Sequence, residues 1–93
     1  MVKAKNFAAD AQVTARPSKV YGAILSGKGI TAGDMVELSD SSSGSGTAIV
    51  TFIASGANGS IVFTPSVGID FFDGVYADCT ITGGTMTVTV LYD

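Results

Sequence analysis

The sequence contains no histidine, no tryptophan and only one cysteine. Without histidine the chain lacks the commonest general base, the Ser-His and Cys-His pairs of nucleophilic catalysis, and every histidine-containing metal site. A single cysteine cannot form an internal disulfide, so folding in a reducing cytoplasm is the simplest expectation. These absences exclude most hydrolytic chemistry, and we expect the protein not to be an enzyme.

The one cysteine, Cys79, lies in the run VYADCTIT at residues 75–82, where apolar and polar residues alternate. The alternation places Cys79 on the same strand face as Ala77 and Ile81, and free cysteine is among the residues most often buried. The nearest charged neighbour in sequence is the anion Asp78, which does nothing to activate a thiol. We therefore interpret Cys79 as a packing residue.

Charged residues are also scarce, at 14% of the chain against roughly 25% in ordinary soluble domains. At 93 residues the chain forms one small domain, which leaves roughly a third or more of its unfolded surface exposed. That surface must consist largely of glycine, serine, threonine and apolar atoms. This composition favours burial against further copies of the chain or against another protein. The alternative is a monomer with a serine- and threonine-rich surface.

The few charges are distributed unevenly. All five bases lie within the first 28 residues, whereas seven of the eight acids follow Lys28. This asymmetry indicates a basic N-terminal arm that contacts something acidic, such as the body of a neighbouring copy. Five dispersed bases without an aromatic stripe exclude a nucleic-acid site. No run approaches the ~18 apolar residues of a membrane span, and the first residues lack the apolar core of a secretory signal.

Short runs of β-branched and aromatic residues, separated by glycine-rich turns, predict an all-β antiparallel sandwich of jelly-roll-like type. We expect a short N-terminal arm with a possible edge strand over residues 1–17 and a single sandwich domain over residues 18–93. The predicted strands cover residues 11–17, 19–27, 35–39, 47–55, 75–82 and 85–93, with one or two more in 60–72. Residues 47–55 are apolar on both faces, which predicts a central strand. Gly83 and Gly84 predict a two-residue hairpin turn.

Three patterns in the chain resemble binding or catalytic motifs but lack the required context. Gly27, Gly29 and Ala32 spell a dinucleotide fingerprint, yet a strand rather than a helix is predicted to follow. The acids after Lys28 match no calcium-loop spacing, and Asp70 and Asp73 are too close in sequence to be argued as an acid pair across a cleft. We expect no catalytic residue, metal or other cofactor.

The aromatic residues are the better candidates for a functional role. Tyr76 points away from the apolar face of its strand, and one of the adjacent Phe71 and Phe72 must face away from the core. Outward aromatic side chains in a chain with few charges are candidates for interface anchors. In a two-sheet sandwich the same positions also suit packing against the second layer, and both interpretations stand.

Several stretches resemble the small virion proteins of tailed bacteriophages, notably those of cyanobacterial and other marine phages. They are VYGAILSG, TAGDMVELSDSSSGSGTAIVTF and GIDFFDGVYADCTITGGTMTVTVLYD, and the similarity covers roughly residues 18–93. The resemblance implies a β-sandwich head decoration (cement) protein, usually a trimer, that braces the major capsid protein on the surface of the virion. Some relatives instead form knobs or fibres.

The resulting hypothesis is a non-enzymatic capsid decoration protein, made in the bacterial host cytoplasm, that binds the head lattice as an oligomer. Its predicted interface residues come from the basic arm and the outward aromatics: Lys3, Lys5, Phe7, Phe72 and Tyr76. The alternative hypothesis is a knob or fibre tip whose loops recognise a glycan or a host surface.

Overall fold

The computed structural model describes residues 1–93 and contains nine β-strands and no helix. The strands are β1 (Lys3–Phe7), β2 (Ala11–Thr14), β3 (Ser18–Lys28), β4 (Met35–Asp40), β5 (Thr47–Ile53), β6 (Asn58–Phe63), β7 (Ile69–Phe71), β8 (Val75–Thr80) and β9 (Thr85–Tyr92). Every strand pairing is antiparallel. The predicted all-β antiparallel sandwich is therefore confirmed. The structure contains no helix of the length and apolarity that a membrane crossing requires.

The strands form two sheets. A five-stranded sheet has the order β1-β9-β3-β6, with β7 paired to the start of β3, and a four-stranded sheet has the order β2-β8-β4-β5. The chain changes sheet at each of the first three connections, forms one hairpin between β4 and β5, and then returns to the first sheet with β6. Two sheets with these strand orders define a jelly-roll topology.

The predicted hairpin at Gly83 and Gly84 is wrong. Residues 83–84 do turn the chain, and both glycines have positive φ angles, of 71° and 64°. However, β8 pairs with β2 and β4, whereas β9 pairs with β1 and β3, so the turn carries the chain from one sheet to the other. The segment 60–72 divides into the two short strands β6 and β7, both of which pair with β3.

The core lies between the sheets and follows the alternation of the strands. Its fully buried large side chains come from both layers: Phe71, Leu38, Val20, Val36, Val75, Val88 and Val90. The Phe52 and Phe63 rings meet edge to face across the two sheets, with centroids 5.6 Å apart. Because each core strand contributes every second residue, its remaining side chains form the two outer faces of the sandwich.

The first 17 residues are part of this sandwich. β1 pairs with β9 along the edge of one sheet, and β2 pairs with β8 along the edge of the other. The possible edge strand predicted in residues 11–17 corresponds to β2. Residues 3–7, which we expected in an arm reaching toward a neighbour, lie along the body of the protein as β1.

Candidate functional site

The structure contains no enclosed cavity of the size that a small-molecule substrate requires, and its larger depressions, of about 520, 420 and 350 Å³, are open. A cavity of about 70 Å³ lies among Leu25, Ile30, Ala54 and Met86, beside the turn that connects β5 to β6. Ligand pockets measure about 300–1,000 Å³, so this cavity is too small for a drug-sized molecule. The three other depressions are open surface grooves.

Cys79 lies on the core-facing side of β8, as the alternation predicted, and is partly rather than fully buried. Its backbone N–H donates to Asp10 Oδ1 at 2.6 Å. Burial, together with the nearby carboxylates of Asp10 and Asp78, raises the pKa of the Cys79 thiol to about 11. The thiol is therefore protonated at neutral pH and is a poor nucleophile.

Two acids that were considered as calcium ligands accept backbone hydrogen bonds instead. Asp34 Oδ2 accepts the N–H groups of Thr31 and Thr82, at 2.9 and 3.0 Å, and so joins the β3–β4 connection to the β8–β9 turn. Asp40 accepts the N–H groups of three consecutive residues, 72–74, through both carboxylate oxygens. No group of three or more acidic or thiol side chains is placed to hold a metal ion.

These hydrogen bonds predict an acid-sensitive fold. The backbone N–H of Thr31 lowers the pKa of Asp34, and that of Asp73 lowers the pKa of Asp40, relative to their ordinary value of 3.8. A pKa that is lower in the folded state gives stabilisation that is complete above pH 3.8 and is lost as the pH falls through the folded pKa. We expect the urea midpoint to fall steeply below about pH 4.

The Asp40→Asn variant should reduce the slope of stability against pH in that range. Asp73→Asn is the matched control, because the Asp73 side chain is exposed and accepts no hydrogen bond. Urea titrations at pH 7, 4 and 3 measure the effect. Equal slopes in wild-type protein and Asp40→Asn would show that the Asp40 contacts do not stabilise the fold.

The five predicted interface residues occupy three places. Lys3, Lys5 and Phe7 share one face of β1, where the Lys3 ammonium lies 5.9 Å from the centre of the Tyr92 ring and Phe7 packs against the core. Phe72 is 73% exposed, directly after the 1%-exposed Phe71. The prediction that one of these two residues faces outward is therefore confirmed. Tyr76 lies on the other sheet and is half-buried.

The structure brings Lys3 and Phe72 to the same end of the sandwich. Two adjoining grooves there share Pro17, Ser18 and Asp93, with Lys3 at the border of one groove and Phe72 at the border of the other. We call this surface the Asp93 end and define it by the following residues: Lys3, Arg16, Lys19, Tyr21, Asp70, Phe72, Tyr92 and Asp93.

The Asp93 end combines basic, acidic and aromatic groups. Lys19 Nζ donates to Asp70 Oδ1 at 2.7 Å, and the N-terminal ammonium lies 3.2 Å from Asp93 Oδ2. All four groups are solvent-exposed, so each pair contributes little to stability. Arg16 has no ion-pair partner in the structure. The surface can therefore exchange its weak internal pairs for contacts with another molecule.

A second surface was missed by the sequence interpretation. Residues 47–55 were expected to form a central strand, but β5 is the edge strand of the four-stranded sheet. Ile49 and Ile53 on this strand are 45% and 59% exposed. The signal that pointed to this surface is the run from residue 41 to residue 69, which contains no ionisable side chain.

Comparisons with protein-family models, with curated proteins and with solved structures found no match to this chain. The chain is a small jelly-roll sandwich whose surface carries exposed apolar side chains and open grooves.

Proposed function

We propose that this chain is a non-enzymatic structural protein of a tailed-phage virion, namely a capsid decoration (cement) protein that binds and stabilises the head lattice as an oligomer. The observation that carries the proposal is the exposure of eight large apolar side chains on a body with 14% charged residues. Exposed apolar surface on a soluble domain marks a site of contact with other macromolecules. The sequence resemblance to phage virion proteins supplies the setting.

The fold supports the proposal without deciding it. Jelly rolls occur in viral capsid proteins and in lectins, and one topology serves many functions. A bracing protein needs a rigid body and contact surfaces, and the nine strands and the 14-residue core supply such a body. Several copies seated on one lattice gain affinity from individually weak contacts, which suits the modest charge and aromatic content of the Asp93 end.

In this proposal the Asp93 end contacts the major capsid protein. Lys3 and Lys5 supply positive charge along β1, and Phe72 supplies an exposed ring for burial in the partner. Lys5, Phe7 and Tyr76 lie outside the residues that define this surface, so their assignment to the interface rests on the sequence prediction alone. The protein would reside on the outer surface of the capsid.

One observation favours the alternative of a knob or fibre tip that binds a glycan. Phe72 and Tyr21 border the same open groove as the carboxylate of Asp70. An exposed ring beside hydrogen-bonding carboxylates suits a sugar, whose apolar face stacks on the ring while its hydroxyls donate to the acids.

Co-sedimentation with phage heads tests the proposal. The purified protein is added to expanded tailed-phage heads that are built from the major capsid protein alone, and the pellet is analysed after ultracentrifugation. We expect wild-type protein to pellet at a fixed ratio to the capsid subunits and to raise the temperature at which the heads rupture. The Phe72→Ala variant should bind at least about tenfold more weakly if the ring is an anchor.

Val62→Ala is the matched control, because Val62 is an equally prominent apolar residue on the outer face of β6 and lies outside the Asp93 end. Wild-type protein that remains in the supernatant would contradict the decoration function. Binding to a glycan array under the same conditions, abolished by Phe72→Ala, would instead establish the alternative.

A further inference from the structure

β5 is an edge strand that lacks charge and proline, and its one irregularity is a register shift at Ile49, where Leu38 pairs with Val50 and Ser39 pairs with Ala48. Its sequence, TAIVTFI, has seven residues rich in β-branched side chains and contains no charge, no proline and no glycine. Natural edge strands are usually short, charged, interrupted by proline or covered. The run of uncharged residues continues on both sides of β5, from residue 41 to residue 69.

Other edges of the sandwich do carry such features. β1 has Lys3 and Lys5 among its five residues. β2 has only four residues, has a register shift between Gln12 and Thr14, and is followed by Pro17. β7 has three residues. The edge strand β6 also lacks charge and proline, but it is one residue shorter than β5 and contains Gly59. β5 is therefore the longest uncharged edge strand of the molecule.

The free backbone groups of β5 belong to identifiable residues. The N–H of Ala54 donates to Asp34 O, and the carbonyl of Ala54 accepts the N–H of Gly33, so both groups point toward the β4 side. Backbone groups alternate along a strand, and those of Thr51 and Ile53 therefore point away from β4. At the edge of the sheet these groups have no partner within the chain.

We propose that β5 pairs with β5 of a second copy, antiparallel about a twofold axis near Thr51, so that the two four-stranded sheets become one continuous sheet. In this register Thr51 faces its own counterpart, Val50 faces Phe52 of the other copy, and Ile49 lies beside Ile53 of the other copy. The exposed isoleucines then bury each other, and the core-facing residues stay on the core-facing side.

A second copy is the occupant that this edge fits best. Every cross-strand pair in the twofold arrangement joins uncharged residues, and β-branched and aromatic pairs are the ones that stabilise antiparallel strands. A partner strand that carried charge would have to desolvate it opposite valine, isoleucine or phenylalanine. Self-pairing also explains why β5 has the apolar pattern of a central strand.

The contact gives the proposed structural protein its self-association and rests on that proposal for its biological setting, but the two can fail separately. A dimer that does not bind phage heads would remove the proposed function and leave the contact in place. A protein that binds phage heads as a monomer would support the proposed function and rule out the contact. The proposed pairing gives a dimer, whereas the resemblance implies a trimer, so the measured mass distinguishes the two oligomers.

The Thr51→Lys variant tests the contact, because it places two ammonium groups opposite each other at the twofold axis. Within one copy, residue 51 lies opposite Glu37 of β4, so the new lysine faces a carboxylate and the fold is preserved. Light scattering during size exclusion measures the mass. We expect wild-type protein at twice the 9.4 kDa chain mass and Thr51→Lys with a dissociation constant raised about tenfold or more.

Thr87→Lys is the matched control, since Thr87 is an exposed threonine of β9 in the other sheet and so lies outside the proposed contact. It should keep the wild-type mass. An equimolar mixture of Thr51→Lys and Thr51→Glu should recover the dimer, because opposite charges then meet at the axis. Thr51→Glu places a second carboxylate opposite Glu37, so circular dichroism first verifies that this variant is folded. A monomeric or trimeric wild-type protein, or a dimer insensitive to Thr51→Lys, would overturn the inference.

Discussion

Replacement of Phe71 by alanine should lower the free energy of unfolding by about 3–5 kcal/mol. Phe71 is 1% exposed and is the largest of the fully buried side chains. It belongs to β7, a strand of three residues that pairs with the start of β3. Such a short strand is held in place mainly by this side chain, and its loss leaves a cavity that the surrounding valines cannot fill.

Small domains are stabilised by only about 5–15 kcal/mol, so this loss removes a large part of the total. Urea or thermal unfolding, followed by circular dichroism, measures it. Phe72→Ala is the matched control, because it removes the same ring from the next position, where the side chain is 73% exposed. We expect Phe72→Ala to change the free energy of unfolding by no more than about 0.5 kcal/mol. Equal losses in the two variants would contradict the burial of Phe71.

The Gly84→Ala variant should lower the free energy of unfolding by about 3 kcal/mol or more. Gly84 has a φ of 64°, a conformation that costs alanine about 1–2 kcal/mol. A Cβ at this position would also collide with the backbone of Gly29 and lie 2.6 Å from the carbonyl oxygen of Lys28. The collision involves main-chain atoms, so the two connections between the sheets must separate.

Gly83→Ala separates the two causes. Gly83 has a φ of 71°, close to that of Gly84, but a Cβ there would meet no atom within 4 Å. This variant should therefore lose only the conformational cost, about 1–2 kcal/mol. Thermal unfolding of both variants measures the difference. If Gly83→Ala were as unstable as Gly84→Ala, the close packing of Gly84 on Gly29 would not be the cause.

The sequence predicted most strands but not the sheet to which each belongs. The alternation in residues 75–82 correctly placed Cys79 on the core face of β8, because alternation is a local property of an extended chain. The pairing partners of a strand depend on distant residues. Gly83 and Gly84 satisfy the conformation of a tight turn whether the chain returns along the same sheet or crosses to the other one.

The prediction for residues 47–55 failed for the same reason, because the neighbours of a strand depend on distant residues. Apolar residues on both faces are typical of a strand with neighbours on both sides, and nothing local distinguishes a neighbour within the chain from a neighbour in another molecule. The structure places β5 at an edge, with Ile49 and Ile53 exposed. The apolar pattern was read correctly, and its assignment to a central position was wrong.

The candidate contact surfaces were predicted only in part. The adjacent Phe71 and Phe72 had to face opposite ways, and the structure decides which one is exposed. The groups of the Asp93 end come from residues as far apart as Lys3 and Asp93, which the long-range pairing of β1 with β9 and of β9 with β3 brings together. No spacing within the sequence encodes that assembly.

Residue-resolved amide exchange at a series of protein concentrations tests most directly whether β5 pairs with β5 of a second copy. Protection of the Thr51 and Ile53 amides should rise as the concentration increases, because their N–H groups point away from β4 and gain acceptors only in the dimer. The amide of Phe52, which points toward β4, should be protected at every concentration. Rapid exchange of the Thr51 and Ile53 amides that does not change with concentration would contradict the pairing of β5 with a second copy.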